Sequence, residues 1–259
     1  MRMDPGWVRR AGVVCRRYAS APLLAVAGLG LSGCASPLPG AATVQGQRIA
    51  HLWAVFFLSA AGVAGAVYGL ILWCIVRYRR RSDGLPPQYR DNIPVEIMYT
   101  AVPVGIVAFL FALTYGTEIH VDRVAPRPDV TINVTAFKWS WLFDYPGTGI
   151  TVAGTPDYPP IAMVPVGRTV RIVLTSTDVV HAFYIPSFLY KRDATPGLVQ
   201  RFDLEIRRPG EYLGECVEFC GFDHTRMRFW LRAVPPAQFD RWIEQGPRVV
   251  HQRVRYTAP

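Results

Sequence analysis

Residues 216–227 read Cys-Val-Glu-Phe-Cys-Gly-Phe-Asp-His-Thr-Arg-Met, so Cys216, Cys220, His224 and Met227 bring two thiols, an imidazole and a thioether into one short stretch. That combination suits soft transition metals, copper above all. The three-residue gap between the cysteines lets both sulfurs face one point from a single loop, with His224 four residues after the second and Met227 three further on. A fourth strong donor is still needed. His181 is the candidate, placed after the alternating run 170–175 and the polar turn Ser176-Thr177-Asp178.

Three other readings fit part of the pattern. A disulfide could join Cys216 to Cys220 in an oxidising compartment, which leaves His224 and Met227 without a role. Zinc accepts a set of two cysteines and two histidines, although a thioether is a poor zinc ligand and a good copper one. Met227 could also be a core side chain, a common fate for methionine.

A rigid scaffold must hold such donors, and the chain after Gly116 has the texture of one. Short alternating apolar runs are divided by Pro and Gly, the pattern of a β-sandwich or barrel. The expected strands are 130–137, 139–143, 169–175, 200–206, 212–215 and 228–234. A helix over 235–243 closes the domain: it opens on two prolines, sets Phe239, Trp242 and Ile243 on one face, and stops at Gly246-Pro247.

The first half of the chain is built for lipid. Residues 52–76 are apolar throughout, with Gly62, Gly65 and Gly69 as small positions for close helix contact. A second span over about 95–115 contains Pro103, tolerable in a membrane helix, and lies between Glu96 and Glu118. Arg77, Arg79, Arg80, Arg81 and Arg90 crowd the connection between them, which places that loop in the cytoplasm and both termini outside. Cys74 in the first span is read as a small apolar side chain, and His51 and His120 as interfacial residues.

The N-terminus reads as an export signal. Arg9, Arg10, Arg16 and Arg17 precede a short apolar run over 21–31, and Leu31-Ser32-Gly33-Cys34 ends it with small residues before a cysteine. This resembles a bacterial lipobox, which implies cleavage before Cys34 and lipidation of its side chain. Residues 35–47, rich in Pro, Gly and Ala, then form a tether. The net charge of +9 does not indicate nucleic acid, because residues 117–259 carry 17 Lys and Arg against 15 Asp and Glu, whereas 1–116 carry 11 against 4.

Two spans, an exported β domain and the C-x-E-x-C-G-x-x-H-x-x-M string together resemble subunit II of the cytochrome c oxidases of the haem–copper superfamily. The resemblance covers roughly residues 49–246 and is supported by Val164-Pro165-Val166-Gly167 and by residues 175–183 around His181. It implies a two-helix transmembrane hairpin plus an all-β cupredoxin-like sandwich or barrel. The implied divisions are a signal peptide (1–33), tether (34–48), hairpin (49–116), copper domain (117–246) and tail (247–259).

The resemblance also implies roles. Cys216 and Cys220 would bridge two coppers, His181 and His224 would each bind one, and Met227 and the Glu218 carbonyl would be weak ligands. Trp139, in the aromatic run 137–145, matches the tryptophan that receives the electron from cytochrome c. Alternating aromatics on one face of a strand are the plainer account of that run. Glu96 matches the glutamate at the mouth of the proton channel, where an ionisable group near the membrane is a functional candidate by default. The Glu218 carboxylate and Asp193 match positions near a magnesium shared with subunit I, in a segment that departs from the commoner Lys-Thr-Asp through Arg192.

The implied partners are the haem-bearing subunit I, subunit III, and cytochrome c or a cytochrome c domain of a bc complex, in the bacterial plasma membrane. A quinol oxidase subunit generally lacks the copper ligands, and nitrous oxide reductase needs a propeller domain for which 259 residues leave no room. A membrane-tethered single-copper carrier or copper-delivery protein needs only one cysteine, so the second cysteine counts against it.

Overall fold

The computed structural model describes residues 40–80, 84, 89–246 and 248–251. The expected signal peptide, Cys34 and residues 35–39 of the tether lie outside the described residues, as do 81–83 and 85–88 between the helices.

Helix α1 (Val44–Arg77) and helix α2 (Ile93–Val121) each hold an 18-residue window of mean hydropathy 2.1, long and apolar enough to cross a bilayer. Thr43 caps α1 by accepting from Gly46 N at 3.0 Å, and Asn92 caps α2 by accepting from Val95 N at 3.4 Å. Hydroxyls that lipid could not solvate turn back onto the helix: Ser59, Thr100, Thr114 and Thr117 each donate to the carbonyl four residues earlier. The first helix starts well before the apolar span, absorbing residues 44–48 of the expected tether. Its extra turn is held from outside, because Ala42 and Thr43 are buried against the β domain.

Among the described residues that domain has eleven strands: β1 (Val130–Phe137), β2 (Ser140–Tyr145), β3 (Ile150–Ala153), β4 (Ile161–Pro165), β5 (Thr169–Ser176), β6 (His181–Ile185), β7 (Tyr190–Ala194), β8 (Gln200–Glu205), β9 (Gly210–Cys216), β10 (Arg228–Val234) and β11 (Arg248–His251). They form a six-stranded sheet, β11-β3-β2-β1-β5-β8, and a five-stranded sheet, β4-β10-β9-β6-β7. Period-two alternation sets the inner faces. Ile132, Val134 and Ala136 of β1 and Val170, Ile172 and Leu174 of β5 are buried, in parallel register with Val134 opposite Leu174. Between the sheets Phe183 stacks on Phe229 at 4.7 Å, and Trp141 meets Phe229 edge-on at 5.1 Å.

Six strands lie where alternation predicts them. The others are short or atypical: β3 and β11 have four residues, and β4, β6 and β7 have five. The edge strand β7 reads Tyr-Lys-Arg-Asp-Ala, charged as edges commonly are. The sheet continues past Gly246, where β11 pairs in parallel with β3. The closing helix α3 (Pro236–Glu244) buries Phe239, and Trp242 packs on Tyr145 at 5.0 Å.

One buried ion pair fixes the passage from α2 into β1. Arg171 grips Asp203 bidentately at 2.7 and 2.9 Å and also donates to Ala125 O at 2.6 Å, while Ala125 N donates back to Asp203 at 2.6 Å. Removing one partner of such a buried pair costs about 3–5 kcal/mol.

Candidate metal centre

Three strands converge on the site. Cys216 ends β9, Met227 immediately precedes β10, and Cys216 N donates to Met227 O at 3.0 Å, closing the loop between two neighbouring strands. His181 begins β6, whose Phe183 lies opposite Cys216, so the imidazole is the thiol's diagonal neighbour across the ladder. Within the loop, N–H groups of His224, Arg226 and Met227 donate to the carbonyls of Gly221, Asp223 and His224. The loop is therefore wound, and it returns His224 and Met227 to the cysteines.

The donor atoms are close together. The two Sγ atoms are 3.8 Å apart, Cys216 Sγ is 3.8 Å from His181 Nδ1, and Cys220 Sγ is 3.5 Å from His224 Nδ1. Met227 Sδ is 3.8 Å from Cys220 Sγ, and the Glu218 carbonyl oxygen is 3.2 Å from Cys216 Sγ. A disulfide holds its sulfurs at about 2.05 Å, so the thiols are free. Met227 is fully buried, and it packs on the sulfur cluster as well as on the core. Donor atoms of His181, Cys216 and Cys220 lie within 4.8 Å of one another, all three residues being buried. Thiol, imidazole and thioether groups facing a common point fit copper better than zinc or a hard cation.

Hydrogen bonds orient the ligands. Asp178 Oδ1 is 2.8 Å from His181 Nε2, and the carboxylate also accepts from Lys138 N at 2.7 Å and Val179 N at 2.6 Å. Burial works against the charge on Asp178, but the bonds from His181 and the two N–H groups outweigh it and hold the carboxyl at about 2. An ionised carboxylate only accepts, so Nε2 carries a proton toward Asp178, and Nδ1 is the nitrogen that faces the thiols. Burial likewise opposes ionisation of Cys216, yet hydrogen bonds with His181, Ala182 and Glu218 bring its thiol below the ordinary range. Burial and then the neighbouring Cys216 charge push Cys220 up to about 12. Metal loading must displace whatever protons the two thiols still hold, so binding is pH-dependent.

Trp139 lies over the loop. Its Nε1 donates to Cys220 O at 3.2 Å, and a side chain on Gly221 would begin 3.2 Å from that nitrogen, which only glycine at φ +119° avoids. The Glu218 carboxylate and Asp193 meet at a common cation: Lys191 Nζ is 2.5 Å from one and 3.2 Å from the other. Glu96 sits apart, exposed in the first turn of α2, with Oε1 accepting from Asn92 N at 3.1 Å. The rest of α2, about 40 Å at 1.5 Å per residue, separates it from the β domain. Asp178 and Lys191 are participants that donor spacing does not reveal, although an aspartate three residues before His181 was a signal for the first.

A soft-donor site on a two-sheet β domain, carried by two membrane-length helices, defines a membrane-anchored protein of the metal-site-bearing class. The chain belongs to the cytochrome c oxidase subunit II family. The family's transmembrane domain, "Cytochrome C oxidase subunit II, transmembrane domain", matches residues 30–115, and "Cytochrome C oxidase subunit II, periplasmic domain" matches 159–234. It is similar to the "probable cytochrome c oxidase subunit 2" of Streptomyces coelicolor, 35% identical with 80% of this chain and 77% of the relative covered. The corresponding protein of Streptomyces avermitilis is 34% identical with the same coverage. Among solved structures, the periplasmic domain of subunit II of cytochrome oxidase from Bradyrhizobium japonicum is 30% identical, with 48% of this chain and 96% of that one covered and a TM-score of 0.43. The chain is thus one subunit of an oxidoreductase.

Proposed function

We propose that this subunit accepts electrons from cytochrome c, or from a cytochrome c domain of a bc complex, at a two-copper centre. It passes them to haem in subunit I, where oxygen is reduced to water and protons are pumped. The observation that carries this reading is the pair of thiols 3.8 Å apart with an imidazole beside each. Cys216 and Cys220 would bridge the metals, His181 and His224 would bind one each, and Met227 and the Glu218 carbonyl would be weak ligands. When bound, a thiolate-bridged copper pair takes up and releases one electron shared between both metals, with little change in geometry. The residues around it keep the site stiff: Asp178 fixes His181, and the strands on either side fix the loop. Trp139, bonded to the Cys220 peptide, is the proposed point where the electron arrives.

Further roles belong to the same reading. Glu96 lies at the cytoplasmic mouth of a proton path, and Glu218 and Asp193 lie near a magnesium shared with subunit I, with subunit III completing the complex. The β domain and both termini face outward from the bacterial plasma membrane, and Cys34 carries lipid. Intact mass spectrometry should give a mature chain that starts at diacylated Cys34; any other start removes the lipoprotein assignment alone.

Electron paramagnetic resonance with a metal count on the full chain in detergent tests the centre itself. The expected result is two coppers sharing one unpaired electron, with coupling to both nuclei. A single-copper spectrum, or zinc bound in preference under copper-replete conditions, would sink the reading. Trp139→Phe should keep that spectrum and slow electron uptake from cytochrome c sharply; an unchanged rate would reduce Trp139 to a packing residue of the turn between β1 and β2.

A further inference from the structure

Strand β7 is the edge of its sheet and pairs on one side only, with β6. A second hold comes from Arg192. Its Nη2 donates to Oδ1 of Asp122, the residue that caps the C-terminal end of α2, and its Nε donates to the Tyr190 hydroxyl at 2.7 Å, with the guanidinium carbon 5.3 Å from the centre of the Tyr190 ring. Tyr190 is itself buried and packs on Phe202 at 5.1 Å, so both ends of the grip are anchored. The charge is well placed. Glu118 and Asp122 bring two carboxylates to the end of α2 where the helix dipole is already negative, and the guanidinium lies in the field of both.

The residues beside Arg192 give this grip its consequence. Lys191 and Asp193 flank it and, by the period of a strand, point to the opposite face. There Lys191 Nζ meets the Glu218 carboxylate at 2.5 Å, and the Glu218 carbonyl oxygen is 3.2 Å from Cys216 Sγ. Across the sheet Arg192 lies opposite Phe183, Phe183 lies opposite Cys216, and Ala194 lies opposite His181, so three adjacent strands connect the α2 contact to two of the donors. An ion pair as exposed as Lys191–Glu218 contributes little by itself. The place of Glu218 therefore depends on how firmly β7 presents the lysine.

We infer that Arg192 is a positioning residue for the metal centre: it locks β7 to the end of α2, β7 presents Lys191 to Glu218, and the lysine holds the Glu218 carbonyl against Cys216. The inference rests on the copper site proposed above and adds to it a residue that touches no donor atom. Gln200 Nε2 also donates to Asp193 O, at 2.8 Å, and ties β7 to β8 independently of α2. Loss of Arg192 should therefore loosen β7 without releasing it.

The test uses the full chain in detergent, loaded with copper. Arg192→Met should speed hydrogen exchange in β7 about 10- to 100-fold, the loss of one hydrogen bond to a charged group, with β1 and β5 as protected as before. It should also shift the copper resonance spectrum and the copper midpoint potential. Lys191→Met should shift both in the same direction, and the double variant should show no further change, because the arginine acts through the lysine. Arg192→Lys, which keeps the charge but has one nitrogen for two partners, should fall between the unmodified protein and Arg192→Met.

An unchanged spectrum and potential in Arg192→Met would make the grip purely structural and overturn the inference, and so would shifts that add in the double variant. If Arg192→Met does not fold, Asp122→Ala removes the anchor and leaves the arginine in place. That variant must then reproduce the Lys191→Met shift, and unaltered copper properties in it would equally overturn the inference. A single-copper spectrum in the unmodified protein would strike the two-copper reading alone, since the variants can be compared on whatever metal His181 and Cys216 hold.

Discussion

Asp178 joins two parts of the centre through one side chain, because its carboxylate takes the His181 imidazole and the peptide N–H that precedes Trp139. Its removal therefore affects ligand orientation before it affects the fold, and Asp178→Asn should weaken copper binding about 10- to 100-fold. The copper-free protein gives a second readout with a definite sign. The carboxyl of Asp178 is depressed on folding, so its stabilisation is present above its unfolded value near 3.9 and is lost as pH falls toward about 2. Burial lowers the affinity of His181 for a proton, but Cys216 and Asp178 more than compensate, so its folded value is raised. That contribution is complete below the unfolded value near 6.5 and disappears as pH rises through the folded one. The stability difference between the unmodified protein and the Asp178→Asn variant should thus be greatest between about pH 4 and about pH 6.5, and unfolding curves at a series of pH values will check it. A difference that grows steadily with pH would refute the pairing.

At the level of elements, β9 and β10 decide whether the loop's two ends stay in register. Gly214 lies opposite Phe229, and a Cβ there would fall 2.0 Å from the phenyl ring. The glycine leaves room for the ring that stacks on Phe183 and meets Trp141 edge-on behind His181. Gly214→Val should destabilise the domain by about 1–3 kcal/mol through overpacking. It should also shift Met227 against Cys216, which a lowered melting temperature and an altered copper spectrum would report; an unchanged spectrum would show that the ladder absorbs the strain elsewhere. Nothing in Gly-Glu-Tyr-Leu-Gly-Glu-Cys distinguishes this glycine, since its role depends on a residue fifteen positions away. The same reason separates the strands legible in the sequence from the others. Alternation exposes β1, β5, β8 and β10, whereas β3, β6 and β7 are too short to show a period and owe their pairing to distant neighbours. The donors Cys216, Cys220, His224 and Met227 were legible because one loop holds them. His181 needed the resemblance to support it, and Lys191 gave no sign of bridging Glu218 and Asp193.

For the molecule as a whole, the outer end of α1 is built into the β domain. Ala42 N donates to Ser187 O at 2.8 Å, Arg207 N donates to Ala42 O at 2.9 Å, and Glu205 N donates to Gln45 Oε1 at 3.2 Å. Ala42 and Thr43, which composition assigns to a tether, are therefore fastened to the β domain, which is held at both the start of α1 and the end of α2. Gly46 permits the first of these contacts. In a helix almost any other residue is preferred to glycine, but a Cβ here would lie 2.4 Å from Phe188 O. Gly46→Val should force α1 away from that carbonyl at a cost of about 1–3 kcal/mol, confined to the local contact because the Arg171–Asp203 pair and both sheets are untouched. Hydrogen exchange on the full chain should then show faster exchange at Ala42 and Arg207, with amides of β1 and β5 still protected and the copper spectrum unchanged. Exchange at Ala42 and Arg207 as slow as in the unmodified chain would mean that α1 carries the substitution without leaving the domain, and that the hold on the β domain resides in the α2 end alone.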